Sequence, residues 1–167
     1  MGKPNLRLHM RKPEPKREER EFPARLRKLR ALVADDHALL LEEVVWILNA
    51  SPDVEVVGVA ADGVEAARVA METRPDLVIL DVSMPRLNGP EAARLILKNV
   101  PGTRILALTM HEEKEYVSSM LDAGASGYLL KDAAPYELLV AVRALASGRS
   151  YFSPRVFQSL AAVLRAR

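Results

Sequence analysis

Five short apolar runs alternate with five helix-like segments from residue 31 onward, and this rhythm limits the folds open to the chain. The runs are 31–35, 54–60, 76–81, 104–109 and 127–130, rich in Val, Ile, Leu and Ala. Such continuous apolar runs, bounded by turn residues, read as strands buried on both faces of a parallel sheet. The segments between and after them, roughly 38–50, 63–73, 88–99, 113–123 and 135–147, have helical periodicity. Strict alternation predicts an α/β fold with right-handed crossovers and helices on both faces. The punctuation agrees: Gly63 follows Asp62, Pro75 precedes the third run, Gly124 and Gly148 close helices, and Pro135 opens one. Leu77 to Leu80 contains no polar residue, so the third strand is expected to be central.

The polar residues that end these runs carry the chemistry. Ala31-Leu32-Val33-Ala34 leads into Asp35-Asp36, the third run into Asp81, the fourth into Thr109 and the fifth into Lys131. Strands of a parallel sheet share a carboxyl edge, where ligands bind. Residues distant in sequence are therefore expected in one acidic pocket. Three carboxylates together repel unless a cation neutralises them, and hard oxygen donors of this kind suit Mg²⁺. Lys131 supplies a fixed positive charge, and the Thr109 hydroxyl is a donor for a phosphoryl oxygen. Phosphoryl transfer needs mainly positioning and charge neutralisation, and a carboxylate can itself take the group. Asp81, at the end of the central strand, has the best place to accept it. Taken singly, Asp36 also reads as a helix N-cap and Asp81 as a strand-end turn residue.

The stretches LVADDHALL, PDLVILDVSMPRLNG, ILALTMH and GASGYLLKDA resemble, in order and spacing, the receiver domain of bacterial two-component response regulators. ADDH together with GYLLKDA is most similar to the NarL/FixJ (LuxR-type) subfamily. The resemblance covers residues 31–150. It implies a doubly wound, five-stranded, flavodoxin-like (CheY-like) parallel sheet with strand order 2-1-3-4-5. It implies that a histidine kinase phosphorylates Asp81 and that Mg²⁺ is held by Asp35, Asp36, Asp81 and the main-chain carbonyl of Ser83. Thr109 and Lys131 would then sense the phosphoryl oxygens, and Tyr128 would be the switch aromatic that turns inward with Thr109. Ser83 and His111, two positions beyond Asp81 and Thr109, would tune the lifetime of the aspartyl phosphate. The switching surface is expected around the fourth helix, fifth strand and fifth helix. Ala134 stands where the family often has a capping Ser or Thr. Gly89 is expected to take a backbone conformation costly for other residues; His37, which follows the acidic pair, has a ligand reading, but the expectation is that it faces solvent on the first helical turn.

The chain is not expected to be an enzyme beyond slow self-dephosphorylation. An aspartate-nucleophile phosphatase of the haloacid dehalogenase type would want a second Asp two residues after Asp81, where Ser83 stands. A flavodoxin-like nucleotide site would want a glycine-rich loop where Asp35-Asp36-His37 stands. A pseudo-receiver acting as a constitutive binding module would not need the complete acidic set.

Charge is distributed unevenly. Residues 1–30 carry a net +7 and the remainder a net −5. Residues 1–29, with four prolines and many charges, read as a basic, disordered arm, at most a weak contact for DNA. Residues 30–150 form the receiver, and 151–167 a linker helix opening at Ser153-Pro154 with an apolar stripe of Val156, Phe157, Leu160, Val163 and Leu164. That stripe needs a partner: this domain, a second copy, or something further along. Seventeen residues after 150 are too few for a helix-turn-helix domain, so transcriptional output is expected to act through a DNA-binding domain absent from this chain. A stand-alone receiver working by protein contacts is the alternative, and a homodimer on phosphorylation is compatible with either. The chain has no Cys, no run long enough to span a membrane and no signal-type segment. The expectation is a cytoplasmic protein with no membrane partner.

Overall fold

The computed structural model describes residues 27–133 and 135–167. The proposed arm lies outside them up to residue 26, as does Ala134. Among the described residues six strands form one parallel sheet: β1 (Leu29–Ala34), β2 (Val54–Ala60), β3 (Leu77–Leu80), β4 (Arg104–Thr109), β5 (Gly127–Leu130) and β6 (Tyr151–Phe152), in the order β2-β1-β3-β4-β5-β6. The expected order 2-1-3-4-5 is observed with β3 between β1 and β4, and β6 extends it by one short strand. The first strand begins at Leu29, two residues before the apolar run suggested, because Leu29 N donates to Asp53 O (2.9 Å) and pairing with β2 already starts there.

Alternate residues of each strand face opposite layers. Leu32, Val78, Leu80, Ile105, Ala107, Tyr128 and Leu130 join a core with α2 (Gly63–Thr73), α3 (Gly89–Asn99), α4 (Lys114–Asp122) and α6 (Phe157–Arg165). Ala31, Val33, Leu77, Ile79, Leu106, Leu108 and Leu129 join the other with α1 (Ala38–Asn49) and α5 (Pro135–Ala146). Small residues allow α2 and α3 to approach the sheet: Ala66, Ala67, Ala70, Ala92 and Ala93 are all buried. Local chemistry sets the helix starts. Asp62 accepts from Glu65 N (2.8 Å) at the head of α2, and Asn88 and Glu91 form a reciprocal capping box at the head of α3.

The C-terminal segment differs from the expected linker helix. A 3-10 turn (Pro154–Val156) precedes α6, and Ser153 does not cap it. Its Oγ instead accepts from Leu130 N (3.1 Å) and donates to Glu137 (3.3 Å), while its own N–H donates to Tyr128 O (2.9 Å). The ladder to β5 thus takes Ser153 away from capping. Of the predicted stripe, Val156 and Val163 are buried, whereas Phe157 and Leu164 are exposed. The partner is this domain, since α6 packs on α4.

Candidate functional site

Register brings the predicted site residues to one edge. Ala34 of β1 lies beside Leu80 of β3, and Thr109 of β4 beside Leu130 of β5. The next residues continue the pairing: Asp81 N donates to Ala34 O (3.0 Å), and Lys131 N donates to Thr109 O (2.9 Å). Asp35, Asp81, Thr109 and Lys131 therefore stand on neighbouring strand ends by the geometry of the ladder itself.

Lys131 Nζ lies 2.7 Å from Asp35 Oδ2 and 3.0 Å from Asp81 Oδ2, with all three side chains at least 95% buried. The contact to Asp81 is a hydrogen bond, whereas Asp35 Oδ2 has ion-pair proximity without hydrogen-bond geometry. Burial pushes the Asp81 carboxyl above its ordinary range; the Lys131 hydrogen bond and charge pull against that, and the Asp35 charge adds to it. Ser83 N donates weakly to Asp81 Oδ1 (3.3 Å). Asp36 is about one-third exposed at the rim.

Asp35, Asp36, His37 and Asp81 each offer a ligand atom, all within 4.8 Å of one another. Three carboxylates against one ammonium leave two formal negative charges, which fits a hard divalent cation. His37 is a correction to part of the reading above. It does face solvent, but it rather than Asp36 occupies the N-cap position of α1. Its N–H donates to Asp35 Oδ1 (2.8 Å), and its Nδ1 lies 3.0 Å from Asp35 Oδ1 and 3.2 Å from Asp36 Oδ1. The adjacency of His37 to the acidic pair was the available signal.

Gly89 is a second correction. Its φ is not positive; space, not conformation, excludes a side chain. A Cβ there would lie 2.4 Å from Asp81 O and 2.7 Å from Val82 Cα, because the head of α3 closes onto the loop through Gly89 N to Val82 O (2.9 Å).

On the other side, Thr109 is fully buried and its Oγ accepts from His111 N (3.2 Å). Tyr128 is turned inward and fully buried, donating its hydroxyl to His111 O (2.7 Å). Burial pushes its phenol above the ordinary range. Ser83 Oγ and His111 Nε2 are 3.3 Å apart, which joins the loops after β3 and β4. The His111 ring also stacks on Tyr116, centroids 3.9 Å apart and planes 12° apart, and its Nδ1 is 3.7 Å from Glu113 Oε2. Sequence reasoning missed Tyr116, which lies on α4 and has no strand-end signature. A groove beside the site, lined by Asp36, Ser83, Met84, Asn88 and Tyr116 among others, opens to solvent.

Among the described residues no helix is long and apolar enough to cross a membrane. Residues 31–143 match the response regulator receiver domain family. The uncharacterized transcriptional regulatory protein YxjL of Bacillus subtilis (strain 168) is 44% identical over 125 residues, covering 75% of this chain and 57% of YxjL. The oxygen regulatory protein NreC of Staphylococcus epidermidis is 43% identical over 133 residues, covering 79% of this chain and 61% of NreC. A solved two-component response regulator of the LuxR family from Aurantimonas sp. SI85-9A1 superposes with a TM-score of 0.77 at 36% identity, covering 84% of this chain and 99% of that one. The chain thus spans less than two-thirds of the length of these two curated relatives.

Proposed function

The chain belongs to the response regulator receiver family, of the NarL/FixJ type, and from that premise we propose that Asp81 is its phosphoacceptor. The observation that carries the reading is the buried grouping of Asp81 with Asp35 and Lys131. The Lys131 ammonium, hydrogen-bonded to Asp81 Oδ2, orients the carboxylate and favours its charged, nucleophilic form. In the transfer, an Asp81 carboxylate oxygen forms the new bond to phosphorus as the phosphorus–nitrogen bond of a histidine kinase's phosphoimidazole breaks, and the imidazole leaves. Lys131 stays beside the group and offsets its charge. Asp35, Asp36, Asp81 and the Ser83 carbonyl would hold Mg²⁺, which supplies charge neutralisation at the phosphoryl oxygens.

Phosphorylation replaces the single negative charge of the carboxylate by a phosphoryl group carrying about −1.5 to −2, beside Lys131 and Thr109. Those residues begin the loops after β5 and β4, and Tyr128 is tied to the second loop through His111. The switching surface is α4, β5 and α5. Driving a two-state element from one side to the other takes about 5.5 kcal/mol, more than one charge-assisted contact gives, so Lys131, Thr109 and the metal act together. Ser83 and His111, which meet between the loops after β3 and β4, set how fast water removes the group. This slow self-dephosphorylation is the only turnover proposed.

Output is proposed to be transcriptional, in the cytoplasm, through a DNA-binding domain absent from this chain, with dimerisation on phosphorylation. That YxjL bears the name of a transcriptional regulatory protein supports this. The test is a calorimetric titration with beryllofluoride in Mg²⁺. Saturable binding by the wild type and none by Asp81→Asn is expected; no binding by the wild type, or equal binding by the variant, contradicts the reading.

A further inference from the structure

The C-terminal segment touches both loops that border the acceptor site, and one side chain spans them. Arg155 lies in ion-pair proximity to Glu112, three residues after Thr109, with Nη2 2.8 Å from Oε2 but without hydrogen-bond geometry. Its Nη1 pairs with Asp132, the residue after Lys131. Glu112 Oε2 is sealed from solvent although much of the side chain is not. Ser159 Oγ donates to Glu112 O (2.7 Å). Ser153 completes the attachment through Leu130 N, the residue before Lys131. Buried Val156 and Val163 anchor the segment, so Arg155 is delivered from a fixed base.

From this we propose that Arg155 is a positioning residue for the acceptor site. Its guanidinium fork holds the β4–α4 and β5–α5 loops at the spacing that Thr109 and Lys131 need to meet an anion on Asp81. The proposal rests on the acceptor reading of Asp81. Two acidic side chains on one guanidinium would repel each other without it. Both would also add uncompensated negative charge near a site that must receive an anion. Loss of position and loss of charge therefore act in the same direction. Lysine supplies the charge but not the planar fork. Because coupling between sites is reciprocal, an anion on Asp81 must also tighten the C-terminal segment.

The experiment uses the full 167-residue chain and titrates beryllofluoride in saturating Mg²⁺. Arg155→Ala is expected to weaken binding by about threefold or more, with Arg155→Lys recovering part of the loss. In wild type, hydrogen exchange at the amides of Phe157–Arg165 is expected to slow when Mg²⁺ and beryllofluoride are bound. Equal or tighter binding by Arg155→Ala, full recovery by Arg155→Lys, or unchanged exchange in α6 overturns the proposal. Wild type that binds while Asp81→Asn does not, together with a silent Arg155→Ala, removes this inference alone. Wild type that does not bind removes the acceptor reading with it.

Discussion

At the carboxyl end of the sheet, Lys131 meets Asp35 and Asp81 out of solvent. At the amino end, Arg143 meets Asp53 (3.0 Å) and Arg27 meets Asp76 (2.6 Å) at the surface. Arg143 and Asp53 are each more than half exposed. The residue types are nearly the same, and burial separates their roles. Surface pairs, Arg155 with Asp132 included, gain no more than about 1 kcal/mol each because water and salt already screen them. A buried cation shared by two carboxylates holds charges the fold would otherwise reject. The carboxyl end is thus a place of stored electrostatic tension, suited to receiving a metal and a covalent charge; the amino end is a solvated rim.

The largest expected contrast comes from removing the shared cation. Lys131→Ala leaves Asp35 and Asp81 buried without their partner and should lower stability by about 3–5 kcal/mol in metal-free buffer. Urea unfolding measures it, and added Mg²⁺ should return part of the loss. A loss no greater than that of Asp53→Asn at the other end would dissolve the comparison.

Next in size is the response to pH. The Asp81 carboxyl is raised in the folded state, so the native protein binds its proton more tightly than the unfolded chain does. That group's contribution to stability is fully present below the unfolded carboxylate range and falls as pH rises through the folded value. Asp81→Asn should therefore be more stable than wild type at neutral pH without metal, with the gap closing on acidification. Thermal unfolding across pH tests this; a variant less stable than wild type at neutral pH contradicts it.

The smallest effect belongs to Asp53. Hydrogen bonds from Arg143 and Ser51 lower its carboxyl to about 2. Its stabilisation is present above the unfolded value and is lost as pH falls toward 2. With the side chain half exposed, solvent screening holds this below about 1 kcal/mol. Asp53→Asn should differ from wild type by no more than that at neutral pH and not at all in strong acid.

The same contrast explains what could be read from the sequence. The strand ends announced themselves, because a polar residue after an apolar run has few other uses and ladder register does the rest. The central place of β3 and the meeting of Asp35, Asp81, Thr109 and Lys131 followed from that pattern, whereas the order 2-1-3-4-5 came from the resemblance to receiver domains. What escaped depends on contacts between distant elements. The strand β6 is two residues long, too short for any period. Ser153 resembled a cap until β5 gave its N–H and Oγ other partners. Gly89 was given the wrong reason because the closeness of α3 to Asp81 is a tertiary fact. Arg155 carries no local signal at all, and its meaning comes from Glu112 and Asp132 lying on either side of it.

The central claim is that one carboxylate, Asp81, accepts the phosphoryl group. The direct measurement is to treat the chain with acetyl phosphate and Mg²⁺, reduce the acyl phosphate with borohydride, and locate the mark by tandem mass spectrometry. The account predicts the mark at Asp81 alone, with Asp35 and Asp36 unmodified. An unmarked Asp81, or a mark on Asp35 or Asp36 instead, would contradict it.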